Sequence, residues 1–309
     1  MKKRIGIFAL CFAVVFLFCS LSSLGANPVD VQAESSLTVQ YRAGEKTFSD
    51  LTVKTYRVAE IFADGTYELT GDFADYPVNI YGITSKTEWD SAVAALVGYV
   101  EADKLAPTAE GVTDAEGKIV FDKLKTGMYL TLGVRHEDPV EITVFDAFLT
   151  SVPTPMENAE HLYHVAVFPK STSFAPTPEE REYKVVKIWK DEGFESRRPQ
   201  TLTVEILKDG VLQSTQTLSA DNNWSYLWTA PVDGSVWTVV ERNVPKGYAV
   251  AVQVQERSFL LTNTYDEKLG GPKPPHTGDT PVSWPYFLAC CGAGFLMITV
   301  AVLQKRKAQ

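Results

Sequence analysis

The sequence predicts an all-β protein: two immunoglobulin-like β-sandwich domains in tandem, the first carrying one amphipathic helix. Three observations carry this expectation. Strand-like apolar alternation runs through most of residues 34–265, a single capped helical stripe interrupts it after residue 85, and a polar break falls at 171–182. Apolar segments flank this body at both ends.

The leading segment begins MKKR, continues with an apolar run over residues 5–18, and then turns small and polar. That is the order of a secretory signal peptide. The best small-x-small match, Val31-Gln32-Ala33, places cleavage after Ala33 and the signal over 1–33, with Ser23-Leu24-Gly25 as an earlier alternative. A retained signal anchor competes with this reading, but the apolar run is short for a span.

The first domain is expected over 34–170. Its strand-like runs are SLTVQYR, LTVKTYRVAEIF, GKIVFDKL, TGMYLTLGV, EITVFDAFLTSV and LYHVAVF. Its helix announces itself by the capping box Ser85-Lys86-Thr87-Glu88, after which Trp89, Val93, Leu96, Val97 and Val100 share one face. That stripe reads as core packing rather than a binding groove. A linker follows at 171–182, polar and Pro-containing.

The second domain, 183–265, is almost pure β pattern, with strands at 183–190, 201–208, 211–218, 223–229, 235–241, 248–256 and 258–265. Asp209-Gly210 marks a hairpin turn between the second and third strands. Seven short strands in this length indicate a Greek-key sandwich. Residues 266–282 read as an extended Pro/Gly-rich stalk. Residues 283–303 are almost wholly apolar, long enough for a hydrocarbon core of about 30 Å. The basic tail at 304–309 (Lys305, Arg306, Lys307) then stays in the cytoplasm, which places the body outside the cell.

Composition narrows the chemistry. Cys11, Cys19, Cys290 and Cys291 all lie in the terminal apolar segments, so the exported body has no disulfide available to it. Acidic residues outnumber basic ones, 38 to 29, which argues against a nucleic-acid partner. His161 and His164 point to opposite faces of a strand and are discounted as a metal pair. No Ser/His/Asp set, HExxH or phosphate loop has a sensible context, so neither a metal, a cofactor nor an enzyme acting on an outside substrate is expected.

Side chains alternate along a strand, so parity shows which residues share the core face. Lys187 has the parity of Val185 and Trp189, Glu241 that of Trp237 and Val239, and Asn263 that of Phe259, Leu261 and Tyr265. Three strands therefore each aim one polar group at apolar neighbours. Unpaired, such groups cost several kcal/mol each, so they should meet one another. The ordinary reading is a buried Lys–Glu ion pair hydrogen-bonded to Asn. The chemical reading is a cross-link: burial favours a neutral amine and a protonated acid, the amine attacks the Asn carboxamide, and ammonia leaves. Holding reactants in contact supplies about 7–11 kcal/mol of such a barrier.

The succession KVVKIWKDE, RPQTLTVEILKDG, NNWSY, WTVVERNVPKGY and LLTNTY resembles the Cna B-type domain of Gram-positive surface proteins. The resemblance implies a self-formed isopeptide bond between Lys187 and Asn263, assisted by Glu241. These are the residues that parity selects on its own. The first domain offers no equal triad; its opening strand lacks a lysine, and Lys54 on the next strand remains the candidate amine. No internal isopeptide bond is expected there.

Two further motifs concern joining. HLYHVAVFPK closes the first domain and resembles the pilin motif of sortase-assembled pili, with Phe168 in the usual Tyr position and His161 where a Trp is frequent. The resemblance makes Lys170 the acceptor amine for another pilin subunit, against the ordinary reading of a solvated lysine at a strand end. Pro274-Pro275-His276-Thr277-Gly278 resembles the Leu-Pro-x-Thr-Gly sorting signal, with Pro274 in the Leu position. The resemblance implies that a sortase cuts between Thr277 and Gly278. It then passes the Thr277 carbonyl to Lys170 of another subunit or to the peptidoglycan precursor of the cell wall. A shaft or basal pilin is expected; the alternative is a monomeric wall-anchored adhesin whose first domain grips a host or surface ligand.

Overall fold

The structure is a computed structural model and describes residues 27–156, 160–175 and 179–266. The leading apolar segment through residue 26, the stalk, Pro274–Gly278 and the predicted span lie outside the described residues. Among the described residues, no helix is long and apolar enough to cross a membrane.

In the first domain the strands of three or more residues are β1 (Ser35–Gln40), β2 (Thr52–Ile61), β3 (Tyr67–Leu69), β4 (Ala109–Val112), β5 (Lys118–Leu124), β6 (Gly127–Thr131), β7 (Val134–Glu137), β8 (Ile142–Phe145), β9 (Phe148–Val152), β10 (His164–Val167) and β11 (Ser171–Phe174), with α1 (Lys86–Ala102) between β3 and β4. Strands β10-β1-β5 form one sheet, β11-β8-β7 a second, and β9-β6-β2-β3 a third, with β4 also on β2. The expected run EITVFDAFLTSV breaks into β8 and β9 around Asp146 and Ala147, where the chain passes between sheets.

The second domain contains all seven expected strands: β12 (Glu180–Lys190), β13 (Thr201–Lys208), β14 (Val211–Ser219), β15 (Ser225–Pro231), β16 (Trp237–Arg242), β17 (Tyr248–Gln255) and β18 (Ser258–Tyr265). They form a four-stranded sheet, β15-β12-β18-β17, and a three-stranded sheet, β14-β13-β16. Asp209 and Gly210 both take positive φ, 51° and 71°, as the tight hairpin between β13 and β14 requires. First and last strands are parallel neighbours, Lys187 opposite Leu261 and Trp189 opposite Asn263.

One boundary differs from expectation. Ser171–Phe174 is strand β11, paired with β8 of the first domain, so the linker narrows to 175–179. Its polar side chains hid it: an edge strand buries too little to show an apolar alternation. At the other end, residues before Glu34 pack on the first domain. Val29 is a buried core residue whose amide donates to the Ala63 carbonyl at 2.9 Å, and Thr126 Oγ1 donates to the Val31 carbonyl at 3.0 Å. A cut after Ala33 would strip Val29 from that core.

The helix begins as expected: Glu88 N–H donates to Ser85 Oγ and Ser85 N–H to Glu88 Oε2. Its burial is wider than one stripe. Leu96, Val97 and Val100 are buried, but so are Ala92, Ala95, Gly98 and Tyr99, because α1 lies between two sheets. The same buried cluster holds Tyr56, Val58, Met128 and Leu130 of the first domain and Val239, Val240, Val250 and Val252 of the second. The opposite face of the third sheet, through Val53 and Tyr129, shares a separate core with β1 and β5. Strand β6 is thus covered on both faces and buried along its whole length. The two domains share a core through α1 instead of hanging on a linker.

Candidate functional site: a buried Lys–Glu–Asn cluster

Lys187 on β12, Glu241 on β16 and Asn263 on β18 come together between the two sheets of the second domain, all three buried. The Lys187 Nζ donates to the carbonyls of Ile188 (3.2 Å) and Leu261 (3.3 Å) and lies 3.4 Å from Glu241 Oε2. It also sits 4.3 Å from the centre of the Trp189 ring. Asn263 Nδ2 donates to Glu241 Oε1 at 2.7 Å. One carboxyl group therefore faces the amine with one oxygen and the carboxamide nitrogen with the other. Asn263 Oδ1 is buried without a hydrogen-bond partner among the described residues.

Both ionisable members are displaced toward their neutral forms. Burial pulls Lys187 down to about 8, against the opposing charge of Glu241. Burial likewise raises Glu241, against the charge of Lys187 and the hydrogen bond from Asn263. A proton moving from Nζ to Oε2 leaves a neutral amine beside a carboxamide and a neutral acid beside the nitrogen that would depart. The three groups are of the kinds that aminolysis of an amide requires: an amine, an acid–base and a carboxamide.

A neighbouring cluster escaped the sequence. Asp191, buried, accepts from Arg198 Nε at 2.9 Å, from Arg198 Nη2 at 2.5 Å and from the Tyr248 hydroxyl at 2.7 Å. Trp189 packs edge-on against Tyr248. The signal was present: Asp191 has the parity of Lys187 and Trp189, so it continues the inward face beyond the strand end. Arg198 holds its carboxyl below the usual range, leaving a fixed anion near Lys187.

The other sites lie elsewhere. Lys170 is exposed, between β10 and β11, and its carbonyl accepts from the Asp146 amide at 2.9 Å. Phe168 before it is also exposed, with the Arg42 guanidinium 4.9 Å above its ring, whereas Pro169 is buried. Lys54 is half-buried on β2, opposite Glu110 of β4. His164 Nδ1 is 3.0 Å from Ser36 Oγ, and no group of three or more metal-ligating side chains occurs among the described residues.

Residues 183–264 match the Cna protein B-type domain. The match lies within the second domain. No curated protein matches the chain. Among solved structures, the chain is similar to a single B repeat unit of the collagen-binding surface protein Cna of Staphylococcus aureus, at 16% identity and a TM-score of 0.27, covering 76% of this chain and 100% of that one. It is similar to the full-length major pilin SpaD of Corynebacterium diphtheriae at 17% identity and a TM-score of 0.30, covering 76% and 65%. The pilus backbone RrgB of Streptococcus pneumoniae gives 14% and 0.26, covering 76% and 74%.

Proposed function

We propose that the chain is a structural protein of a Gram-positive cell surface, a pilus subunit held together inside by a Lys187–Asn263 isopeptide bond. The observation that carries this is the single carboxyl of Glu241, set between a buried amine and a buried carboxamide. Nζ gives a proton to Oε2, the neutral amine attacks Asn263 Cγ, and Nδ2 takes up a proton and leaves as ammonia. The cluster begins as an ammonium, a carboxylate and a primary amide. It ends as a secondary amide, free ammonia and a protonated Glu241. No outside reagent is needed. Asp191 and Arg198 remain paired throughout, so the neighbouring charge stays balanced.

In the same proposal a sortase cuts between Thr277 and Gly278, and the Thr277 carbonyl passes to Lys170 of another subunit or to the peptidoglycan precursor. The exposure of Lys170 at the end of β10 supports the acceptor role, since an amine must be free in solution to attack an acyl-enzyme. Mass spectrometry of the protein released from the wall tests all of this together. The second domain should weigh one ammonia less than its sequence, and Glu241→Ala should restore the full mass. A wild-type domain of full mass would refute the cross-link.

A further inference from the structure

Strand β16 has two faces and a free edge, and only one face serves the triad. Trp237, Val239 and Glu241 alternate inward, while Thr238, Val240 and Arg242 alternate outward onto α1. Each outward residue meets the last two turns of that helix. Thr238 Oγ1 donates to Glu101 Oε2 at 2.5 Å, and Arg242 pairs with Asp103 at 2.8 Å. Val240 sits where Gly98 leaves room: a Cβ on Gly98 would fall 2.8 Å from Val240 Cγ2. Val240 is itself buried and β-branched, so it has little freedom to yield.

The free edge is held as well. β16 ends the β14-β13-β16 sheet and pairs with β13 alone. The Tyr99 hydroxyl donates to the Glu241 carbonyl at 3.3 Å, supplying a bond that a further strand would otherwise make. Tyr99 is in turn fixed by stacking on Tyr76 with ring centres 4.3 Å apart. The edge of the opposite sheet is gripped from the same side. Val250 of β17 stands opposite Asn263 of β18, and its amide donates to the Pro77 carbonyl at 2.7 Å. The first domain thus closes the open seam between the two sheets and touches both strands that seat Glu241 and Asn263.

We infer that α1 of the first domain is a positioning element for the cross-link, so that Lys187 and Asn263 join only after the two domains have docked. The inference rests on the isopeptide reading proposed above. Gly98 sets how closely α1 approaches β16, and Tyr99 fixes the backbone that carries Glu241. Without them the outer face of β16 meets water and the carboxyl loses its dry, defined place between amine and carboxamide.

The test uses the chain recovered in denaturant and refolded. Tryptophan fluorescence reports folding, and intact mass reports ammonia loss in samples quenched at intervals. A merely structural role slows folding; a positioning role slows ammonia loss per folded molecule. Gly98→Leu should reduce that rate by about a hundredfold, the scale of a 1 Å misplacement, with Gly98→Ala between it and wild type. Tyr99→Phe removes a hydroxyl and no volume, so it decides the matter if Gly98→Leu does not fold; it should fold normally and lose ammonia several times more slowly. Variants that fold and lose ammonia at the wild-type rate overturn the inference and leave the cross-link standing. A wild-type chain that keeps its full mass removes the cross-link reading, and this inference with it.

Discussion

Glu241 divides its two oxygens between Lys187 and Asn263, so its protonation and that of Lys187 decide whether anything reacts. The productive state holds one proton too few for an ammonium and one too many for a carboxylate. Adding a second proton blocks the amine; removing the last one deprives the acid. The rate of ammonia loss on refolding should therefore be level across neutral pH and fall above about 8, where Lys187 releases its proton. An amine with its ordinary value would hold the rate up to far more alkaline pH, so rates measured across this range settle the sign. Asp191 makes a separate prediction. Asp191→Ala removes the buried acceptor of Arg198 and Tyr248 and should cost about 3 kcal/mol in denaturant unfolding, the upper end for a hydrogen bond to a charged group. Parity alone identified Lys187, Glu241 and Asn263, because a polar residue among inward apolar neighbours stands out. It did not identify Asp191, which lies just past the end of β12, where the alternation no longer has strand neighbours to define it.

At the scale of elements, the legible features were those with local rules. The capping box of α1, the Asp209-Gly210 hairpin and the seven strands of the second domain all follow from short-range chemistry. What the helix packs against is not local. Ala92, Ala95 and Gly98 are too small to register as an apolar stripe, yet small size is what lets α1 approach a second domain. The small-x-small triplet Val31-Gln32-Ala33 suits a peptidase but carries no information on what Val29 does in the fold. Because Val29 is buried, its loss would forfeit about 1.5–3 kcal/mol of apolar burial. The mature chain is expected to begin before Val29, and N-terminal sequencing of the exported protein checks this; a start at Glu34 would count against it.

Across the whole molecule, the shared core makes the two domains one thermodynamic unit. Calorimetry of the Asn263→Ala chain, which has no cross-link to form, should show a single transition with matching calorimetric and van't Hoff enthalpies. Two separated transitions would mean that α1 does not couple the domains. Assembly is tested at this scale too. Lys170→Ala should abolish high-mass covalent ladders in wall extracts if the protein builds a shaft; persisting ladders defeat that role and leave a wall-anchored monomer or a terminal subunit.

The parallel pairing of β12 and β18 has a mechanical consequence. The chain enters the second domain at the beginning of β12 and leaves at the end of β18, at opposite ends of one strand pair. Tension applied through those two points slides the strands past each other, loading their backbone hydrogen bonds together rather than peeling them one at a time. Shear of this kind is the stiff direction of a sheet, and the Lys187–Asn263 pair lies directly across the sliding plane. A pull between Lys170 and Thr277 would pass through this pair and bypass most of the first domain, leaving its helix free of load.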